Sequence, residues 1–523
     1  MHDVLINGQW QPSSHVSDFS PINPATGEAL ALSFPVSDWS DCDAALSSAA
    51  SAFVAMRTLG PENIAMFLDK YASLIEADKD ELVEIAHQET GLPKSPRLAD
   101  VELPRTINQL KLAAAAARQQ NWAMPTIDTK ANIRSCFQAI GPVCVFGPNN
   151  FPFAFNSISG GDFAAAIAAG NPVIAKANSS HPATTYRFAL LADQAAKATN
   201  MPSGLVQLIY RTSHADGEKL VADPRLAAIG YTGSRSAGLQ LKSVADRVGK
   251  PFYAELSSVN PVVYMPGALR ERLDKLVDEY VMSGLMGAGQ FCTNPGMLLL
   301  IDSPEASKFV EAVSAKYQSS AVGTLLSRSV ETSLVKNVGI LKNAGAELLT
   351  GGKKQEGPRC AVSNTVLRIR GRQFLSDPHV FQTEAFGNAV LIVLCTDLKE
   401  LTNAIEQLEG NLTGSIYSDS SGKDDVDYPS IASALTYRVG RILNDKMPTG
   451  VAVSPAMNHG GPFPATGHPG FTAVGIPASM IRFAKLTCFD NVRESRLPAL
   501  LQNANSIQAW RLVDGNWTNG STM

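Results

Sequence analysis

The fold class this sequence predicts is α/β, in two lobes with a cleft between them, and three observations predict it. Ala-rich amphipathic helical patterning fills residues 39 to 118. From 142 onward, short β-branched runs alternate with helical ones. The same alternation restarts beyond a junction of small residues at Ser257-Ser258-Val259-Asn260-Pro261. A βαβα rhythm buries a parallel sheet between helical layers and leaves ligands at the carboxyl ends of its strands. A chain of 523 residues also exceeds what one hydrophobic core usually supports.

In chain order, the N-terminus alternates like a strand and turns at Asn7-Gly8. The helical layer breaks at Gly60-Pro61 and at Gly91-Leu92-Pro93. Then come the strand PVCVFG from 142, a helix over about 157–169, the strand PVIAKA from 172, a helix over 182–198, the strand LVQLIY from 205, a short helix, the strand AAIGYTG from 227 and another helix. The second unit begins near 256 with VVYM, a helix over 268–286, MLLLID, further helices and the strand AVLIVLC at 389–395. The Ser/Asp segment 418–426 reads as a loop. The Gly/Pro-rich stretch 458–470 reads as an irregular functional loop beside the cleft.

Composition excludes several classes. Lys plus Arg (44) nearly balance Asp plus Glu (48), so the basic excess that phosphate-backbone binding needs is missing and no nucleic-acid partner is expected. The apolar stretches 161–170 and 281–288 are too short to span a bilayer. No basic region followed by an apolar run marks an export signal, and seven cysteines lie singly with no CxxC spacing. A disulfide framework, a structural zinc or another metal site is therefore not expected, and a reducing cytoplasm is.

Five motifs carry candidate chemistry. Pro148-Asn149-Asn150-Phe151-Pro152 follows a strand, opens a helix and puts an amide where an oxyanion could be held. Lys176 ends the next strand, where an ammonium can bond ribose hydroxyls. Tyr231-Thr232-Gly233-Ser234 forms a strand-to-helix turn that lets a backbone approach a phosphate. Glu255 closes a strand at the domain junction as a candidate general base. Gly287-Ala288-Gly289-Gln290-Phe291-Cys292 presents one thiol on a Gly-rich turn. Each has a plainer explanation alone: a turn-forming Asn, a surface lysine, a common turn, an inert small thiol.

Their order is more specific than any one of them. With Ile6-Asn7-Gly8-Gln9-Trp10, Asn23-Pro24-Ala25-Thr26-Gly27-Glu28, Glu89-Thr90-Gly91 and Glu384-Ala385-Phe386-Gly387, the set resembles the signature of the aldehyde dehydrogenase superfamily from about residue 5 to 490. The resemblance implies a Rossmann-like NAD(P)-binding domain (1–128 and 142–255), an α/β catalytic domain (256–455) and a small β arm (129–141 with 479–490) that assembles a homodimer or homotetramer. The C-terminal tail, 491–523, has no counterpart. It also implies that Cys292 is the nucleophile, that Asn150 and the Cys292 N–H hold the oxyanion, and that Glu255 activates the hydrolytic water. Lys176, Gly233, Ser234, Glu384 and Phe386 would hold NAD or NADP.

Departures from the common pattern narrow the expectation. Ser179 stands where many NAD-preferring members carry a glutamate, so a 2′-phosphate is not repelled. Arg211, in Tyr210-Arg211-Thr212-Ser213, could clamp that phosphate or be a plain surface arginine. Glu255-Leu256-Ser257-Ser258-Val259-Asn260-Pro261, Gln290-Phe291-Cys292-Thr293-Asn294-Pro295-Gly296, Phe153-Ala154-Phe155, Pro448-Thr449-Gly450-Val451 and His459-Gly460-Gly461-Pro462-Phe463-Pro464-Ala465-Thr466 resemble the branch of α-ketoglutaric semialdehyde (2,5-dioxopentanoate) dehydrogenases and an NADP-linked fatty aldehyde dehydrogenase. A semialdehyde substrate needs a cationic or amide-rich partner for its distal carboxylate, which no residue reveals. A fatty aldehyde needs an apolar tunnel, for which Phe153, Phe155, Phe291 and Phe463 are the candidates. A CoA-acylating enzyme and a non-catalytic binding protein on the same fold are the rivals. Glu255 argues against the first, Cys292 and Asn150 against the second.

Overall fold

The computed structural model describes residues 1–468 and 470–522. Four helices, Trp39–Met56, Pro61–Ala77, Lys79–Thr90 and Leu103–Gln119, form the layer expected from 39 to 118. Gly60-Pro61 sets the start of the second, with Pro at its first turn where no N–H is missed. The first packs on a seven-stranded sheet in the order Phe252–Glu255, Ala228–Thr232, Val143–Phe146, Val173–Lys176, Val206–Ile209, Val4–Ile6 and Gln9–Gln11, and the other three pack on the helices Gly161–Ala168 and Pro182–Ala198. The first five run parallel, and the N-terminal hairpin adds antiparallel to the edge.

Polar groups lock this helical layer to the helix Pro182–Ala198 and the loop before Gly161. The buried Tyr71 hydroxyl donates to Ile158 O (3.1 Å) or Phe188 O (3.2 Å). The Glu89 carboxylate accepts from Ala183 N, Thr184 N and the Thr184 hydroxyl at 2.7–2.8 Å, so it caps the helix Pro182–Ala198 from outside that helix. This gives Glu89-Thr90-Gly91 a structural purpose. Burial pushes the Glu89 carboxyl up to about 7 against those donors.

The second lobe is another seven-stranded sheet: Glu347–Thr350, Thr365–Arg370, Ala389–Cys395, Met297–Ile301, Pro261–Tyr264, Asn411–Tyr417 and Val439–Asn444. Only its first strand, at the edge, is antiparallel. Fully buried runs such as AVLIVLC are what a sheet covered on both faces requires.

Strand Ile133–Ala139 pairs antiparallel with Ala484–Asp490 over seven residues. The C-terminal segment, left without a role by the sequence, completes this sheet: Arg511–Val513 pairs with Thr126–Asp128, and Asn516–Thr518 pairs with Arg511–Val513. Arg511 is fully buried and donates to the carbonyls of Gln502, Asn503 and Gly520, tying the tail into one unit.

One element differs from expectation. The helix expected over 157–169 is only Gly161–Ala168. Residues 147–160 instead form a buried irregular loop whose turns are closed by side chains, with Asn156 bonding Pro152 O and Thr185 and the Ser159 hydroxyl bonding Phe153 O. Asn150 therefore sits on a braced loop, not at the opening of a helix.

Candidate active site

Cys292 follows a turn in which Gly287, Ala288 and Gly289 all take positive φ (56°, 57° and 69°). At Gly289 a Cβ would come within 2.1 Å of Gly387 O, so only glycine lets this turn lie against the segment carrying Glu384 and Phe386. Gln290 braces it by accepting from Leu326 N and donating to Gly287 O and Thr324 O. The buried Asn260 amide donates to Cys292 O (2.8 Å) and Asn294 O (2.9 Å). Ser258 and Asn411 hold Asn260 in turn. The unusual Ser-Ser-Val-Asn junction thus anchors the loop that carries the thiol.

Glu255, at the end of its strand, is 2% exposed. It lies on the first lobe, yet the 459–467 loop is stitched to its strand end: Leu256 N donates to Ala465 O and Gly467 N to Ala254 O. That stitching delivers His459. Its Nε2 lies 3.1 Å from Glu255 Oε1 and 3.4 Å from Cys292 Sγ, between the acid and the thiol. Gly460 must be glycine for this placement, because a Cβ there would meet Phe471 O at 2.0 Å. Thr472 Oγ1 and Ala473 N fix the His459 backbone. Glu255 Oε2 is buried with no hydrogen-bond partner among the described residues.

Burial, then the nearby Glu255 charge, pushes the Cys292 thiol well above 9, with Arg105 opposing. Asn150 Nδ2 donates one hydrogen to Gln290 O (3.0 Å), which aims the amide at the thiol loop and leaves its second N–H. The Cys292 backbone N–H donates to nothing else among the described residues.

A groove leads away from the thiol in two connected cavities. One, of about 840 Å³, is lined by Cys292, Glu255, Asn150, Gly233, Ser234, Glu384 and Phe386. The other, of about 660 Å³, is lined by Lys176, Ser179, Arg211 and Gly233-Ser234. They share Pro148, Asn149, Thr232, Gly233 and Ser234. Ser234 is the N-cap of helix Arg235–Arg247 without bonding its own first turn, so the free N–H groups face the shared wall. Lys176 makes no hydrogen bond or ion pair among the described residues, and burial holds its ammonium down to about 8. Glu384, pushed up to about 8 by burial and then the Glu255 charge, accepts a long bond from Ser258 N (3.4 Å).

The aromatic candidates divide. Phe155 and Phe291 are joined through Phe151 (ring centroids 5.3 and 5.4 Å), and Phe155 lies 5.6 Å from the His459 ring. Phe153 is a correction: it is fully buried in the core of the first lobe, edge-on to Phe188, because the 147–160 loop turns its side chain away from the thiol. Phe463 is another: it is 58% exposed at the groove's outer rim beside Arg235, since the 459–467 loop points His459 inward and Phe463 outward.

Sequence reasoning missed two residues. His459 lay in a loop marked as functional, but nothing in its spacing ties it to a thiol 167 residues earlier. Arg105 sits in the first turn of Leu103–Gln119, where the helical pattern only places a half-buried polar residue.

Fold and site together define an α/β enzyme that carries a thiol at the inner end of a dinucleotide-sized groove. The aldehyde dehydrogenase family model matches residues 10–438, and the chain belongs to that family. Aldehyde oxidation is its chemistry. The chain is 36% identical to α-ketoglutaric semialdehyde dehydrogenase 2 of Azospirillum brasilense, covering 94% of this chain and 95% of that one. It is 34% identical to the α-ketoglutaric semialdehyde dehydrogenase of Acinetobacter baylyi over 98% of each. Among solved structures, a mutant of aldehyde dehydrogenase C of Pseudomonas syringae, complexed with NAD+ and octanal, superposes with a TM-score of 0.79 at 19% identity, covering 94% and 96% of the two chains. Among the described residues, no helix is long and apolar enough to cross a membrane.

Proposed function

We propose that this enzyme oxidises 2,5-dioxopentanoate to 2-oxoglutarate through a thiohemiacetal and a thioester on Cys292, with NADP or NAD as hydride acceptor. The observation that carries the mechanism is the alignment of Cys292 Sγ, His459 Nε2 and Glu255 Oε1 beside the Asn150 amide. The substrate rests on the two semialdehyde dehydrogenases that match nearly the whole chain.

A thiol held well above 9 is a poor nucleophile at neutral pH, so its proton must leave as it attacks. His459 Nε2 is placed to take it in the tautomer that carries its ring hydrogen on Nδ1, and the new Nε2–H then donates to Glu255 Oε1, which steadies the imidazolium. The second Asn150 N–H and the Cys292 N–H then receive the oxyanion. The groove fits a dinucleotide: Lys176 is an unpartnered ammonium beside Ser179 and Arg211, and a helix N-terminus at Ser234 suits a pyrophosphate. When bound, the nicotinamide supplies the two-electron acceptor for the aldehydic hydride. Glu255 Oε2, buried and unpartnered, is free to orient and deprotonate the water that cleaves the thioester.

Arg211 is exposed on the adenosine side of the groove, whose carboxylates are Asp18 and Glu218, and position 179 itself is a serine, so we infer that NADP is accepted. We place assembly at the five-stranded sheet, whose face exposes Leu486 and Ile133, with a homodimer or homotetramer as its product. Seven unpaired cysteines fit a reducing cytoplasm.

The aromatic cluster Phe151, Phe155, Phe291 and Phe471 favours a second reading, a long-chain aldehyde. Steady-state kinetics with 2,5-dioxopentanoate, succinic semialdehyde and dodecanal, each with NAD and NADP, decides between them. The proposal expects the highest kcat/KM with 2,5-dioxopentanoate, and a higher value for dodecanal overturns it.

A further inference from the structure

Among the arginines packed around the thiol, Arg105 alone has no partner. Arg97 pairs with Glu102 and donates to Asn150 O. Arg441 donates to the carbonyls of Pro448 and Gly450. The Arg105 side chain makes no hydrogen bond or ion pair among the described residues, and its Nε and Nη2 are shut from solvent. Glu102, one turn earlier in the chain, is already committed to Arg97 and to the N–H groups of Phe153 and Ala154.

A guanidinium with two nitrogens shut from water and no acceptor is costly, so a fold that keeps one points to an anion that arrives later. Its position says which. The guanidinium carbon lies 5.0 Å from the Phe155 ring centroid and 5.7 Å from that of Phe151. Phe155 touches His459, Phe151 touches Phe291, and these two flank or precede Cys292. Arg105 is absent from the walls of both groove cavities, so it stands off the groove, among the rings packed around the thiol. It is close enough for its charge to lower the Cys292 thiol.

We propose that Arg105 binds the distal carboxylate of the aldehyde substrate and sets the enzyme's preference for a short oxo-acid semialdehyde. This rests on the reaction proposed above. In 2,5-dioxopentanoate, four carbon–carbon bonds of about 1.5 Å separate the carboxylate from the aldehyde carbon, so an aldehyde on Cys292 carries its carboxylate about 5 Å away, toward the rings that hold Arg105. The planar fork can receive the carboxylate with two parallel bonds, while Phe151 and Phe155 pack on the carbon chain. A hydrocarbon tail in the same place would leave the guanidinium desolvated and unpaired, which selects against fatty aldehydes.

The test compares wild type, Arg105→Met and Arg105→Lys on 2,5-dioxopentanoate and on pentanal, which has the same carbon count and no charge. Charge-assisted hydrogen bonds of the usual strength predict a roughly 10- to 150-fold loss of kcat/KM on the semialdehyde in Arg105→Met, expressed mainly in KM. Pentanal should lose far less, only what the missing charge costs the thiol, so the ratio of the two kcat/KM values falls, and Arg105→Lys, which keeps the charge, should fall between. Parallel losses on both substrates, or none on either, overturn the proposal. If wild type does not prefer 2,5-dioxopentanoate to pentanal, the substrate reading fails by itself. Glutarate inhibition then reads Arg105 independently: competitive inhibition of pentanal oxidation that disappears in Arg105→Met supports the anion site, and its absence in wild type overturns it.

Discussion

Replacing His459 with Gln removes the one group that touches both the thiol and the acid, at 3.4 and 3.1 Å, while keeping polar bulk in the loop. The expected size of the effect follows from the thiol. Burial and the Glu255 charge raise it, so the thiolate is scarce at neutral pH. Proton transfer to a placed base offsets that scarcity, and general-base catalysis supplies about 100-fold at the lower end of its range. His459→Gln should therefore lose about 100-fold or more in single-turnover hydride transfer. Its inactivation by iodoacetamide should be slow at pH 7 and keep climbing beyond pH 9, whereas wild type should react readily at neutral pH. A variant with wild-type alkylation across pH 6–10 and hydride transfer within about threefold would falsify the role given to His459.

Asn150→Ala removes a side-chain oxyanion donor and should lower kcat by about 10²- to 10³-fold with little change in KM; a loss under about threefold contradicts the assignment. Lys176 is lowered to about 8, so its ammonium form, the one that can donate to a ribose, prevails below pH 8 and is lost above it. NADP affinity measured calorimetrically should weaken as pH rises from 7 to 9, the dependence should vanish in Lys176→Met, and a flat wild-type profile refutes it. Glu89→Ala strands the N–H groups of Ala183 and Thr184 in the interior and should cost about 1–3 kcal/mol in urea unfolding; a change under about 0.5 kcal/mol refutes the capping role.

What the sequence revealed depended on whether the information was local. The alternation from 142 to 255 specified a parallel sheet because each strand is a short β-branched run ended by a turn. Cys292, Glu255, Asn150, Lys176 and Ser234 were legible because motifs mark them. Phe153 and Phe155 stand two apart and read alike, but one enters the core and the other the thiol's surroundings, a difference set by the side-chain bonds that fold the 147–160 loop. His459 and Arg105 depend on non-local stitching: one arrives through bonds between 465–467 and the strand ending at Glu255, the other through a helix packed from the opposite side. The strands at Arg511–Val513 and Asn516–Thr518 escaped notice because three-residue strands carry almost no periodicity.

The central claim is a covalent acyl group on Cys292 that Glu255 helps to remove. Glu255→Gln keeps the shape of the pocket and removes the base. Mixed with NADP and 2,5-dioxopentanoate, it should release a burst of one NADPH per chain and stall. Peptide mass spectrometry should then find one hydroxylamine-sensitive 2-oxoglutaryl thioester on Cys292. Sustained turnover with no adduct, or an adduct on any of the other six cysteines instead, would contradict the account.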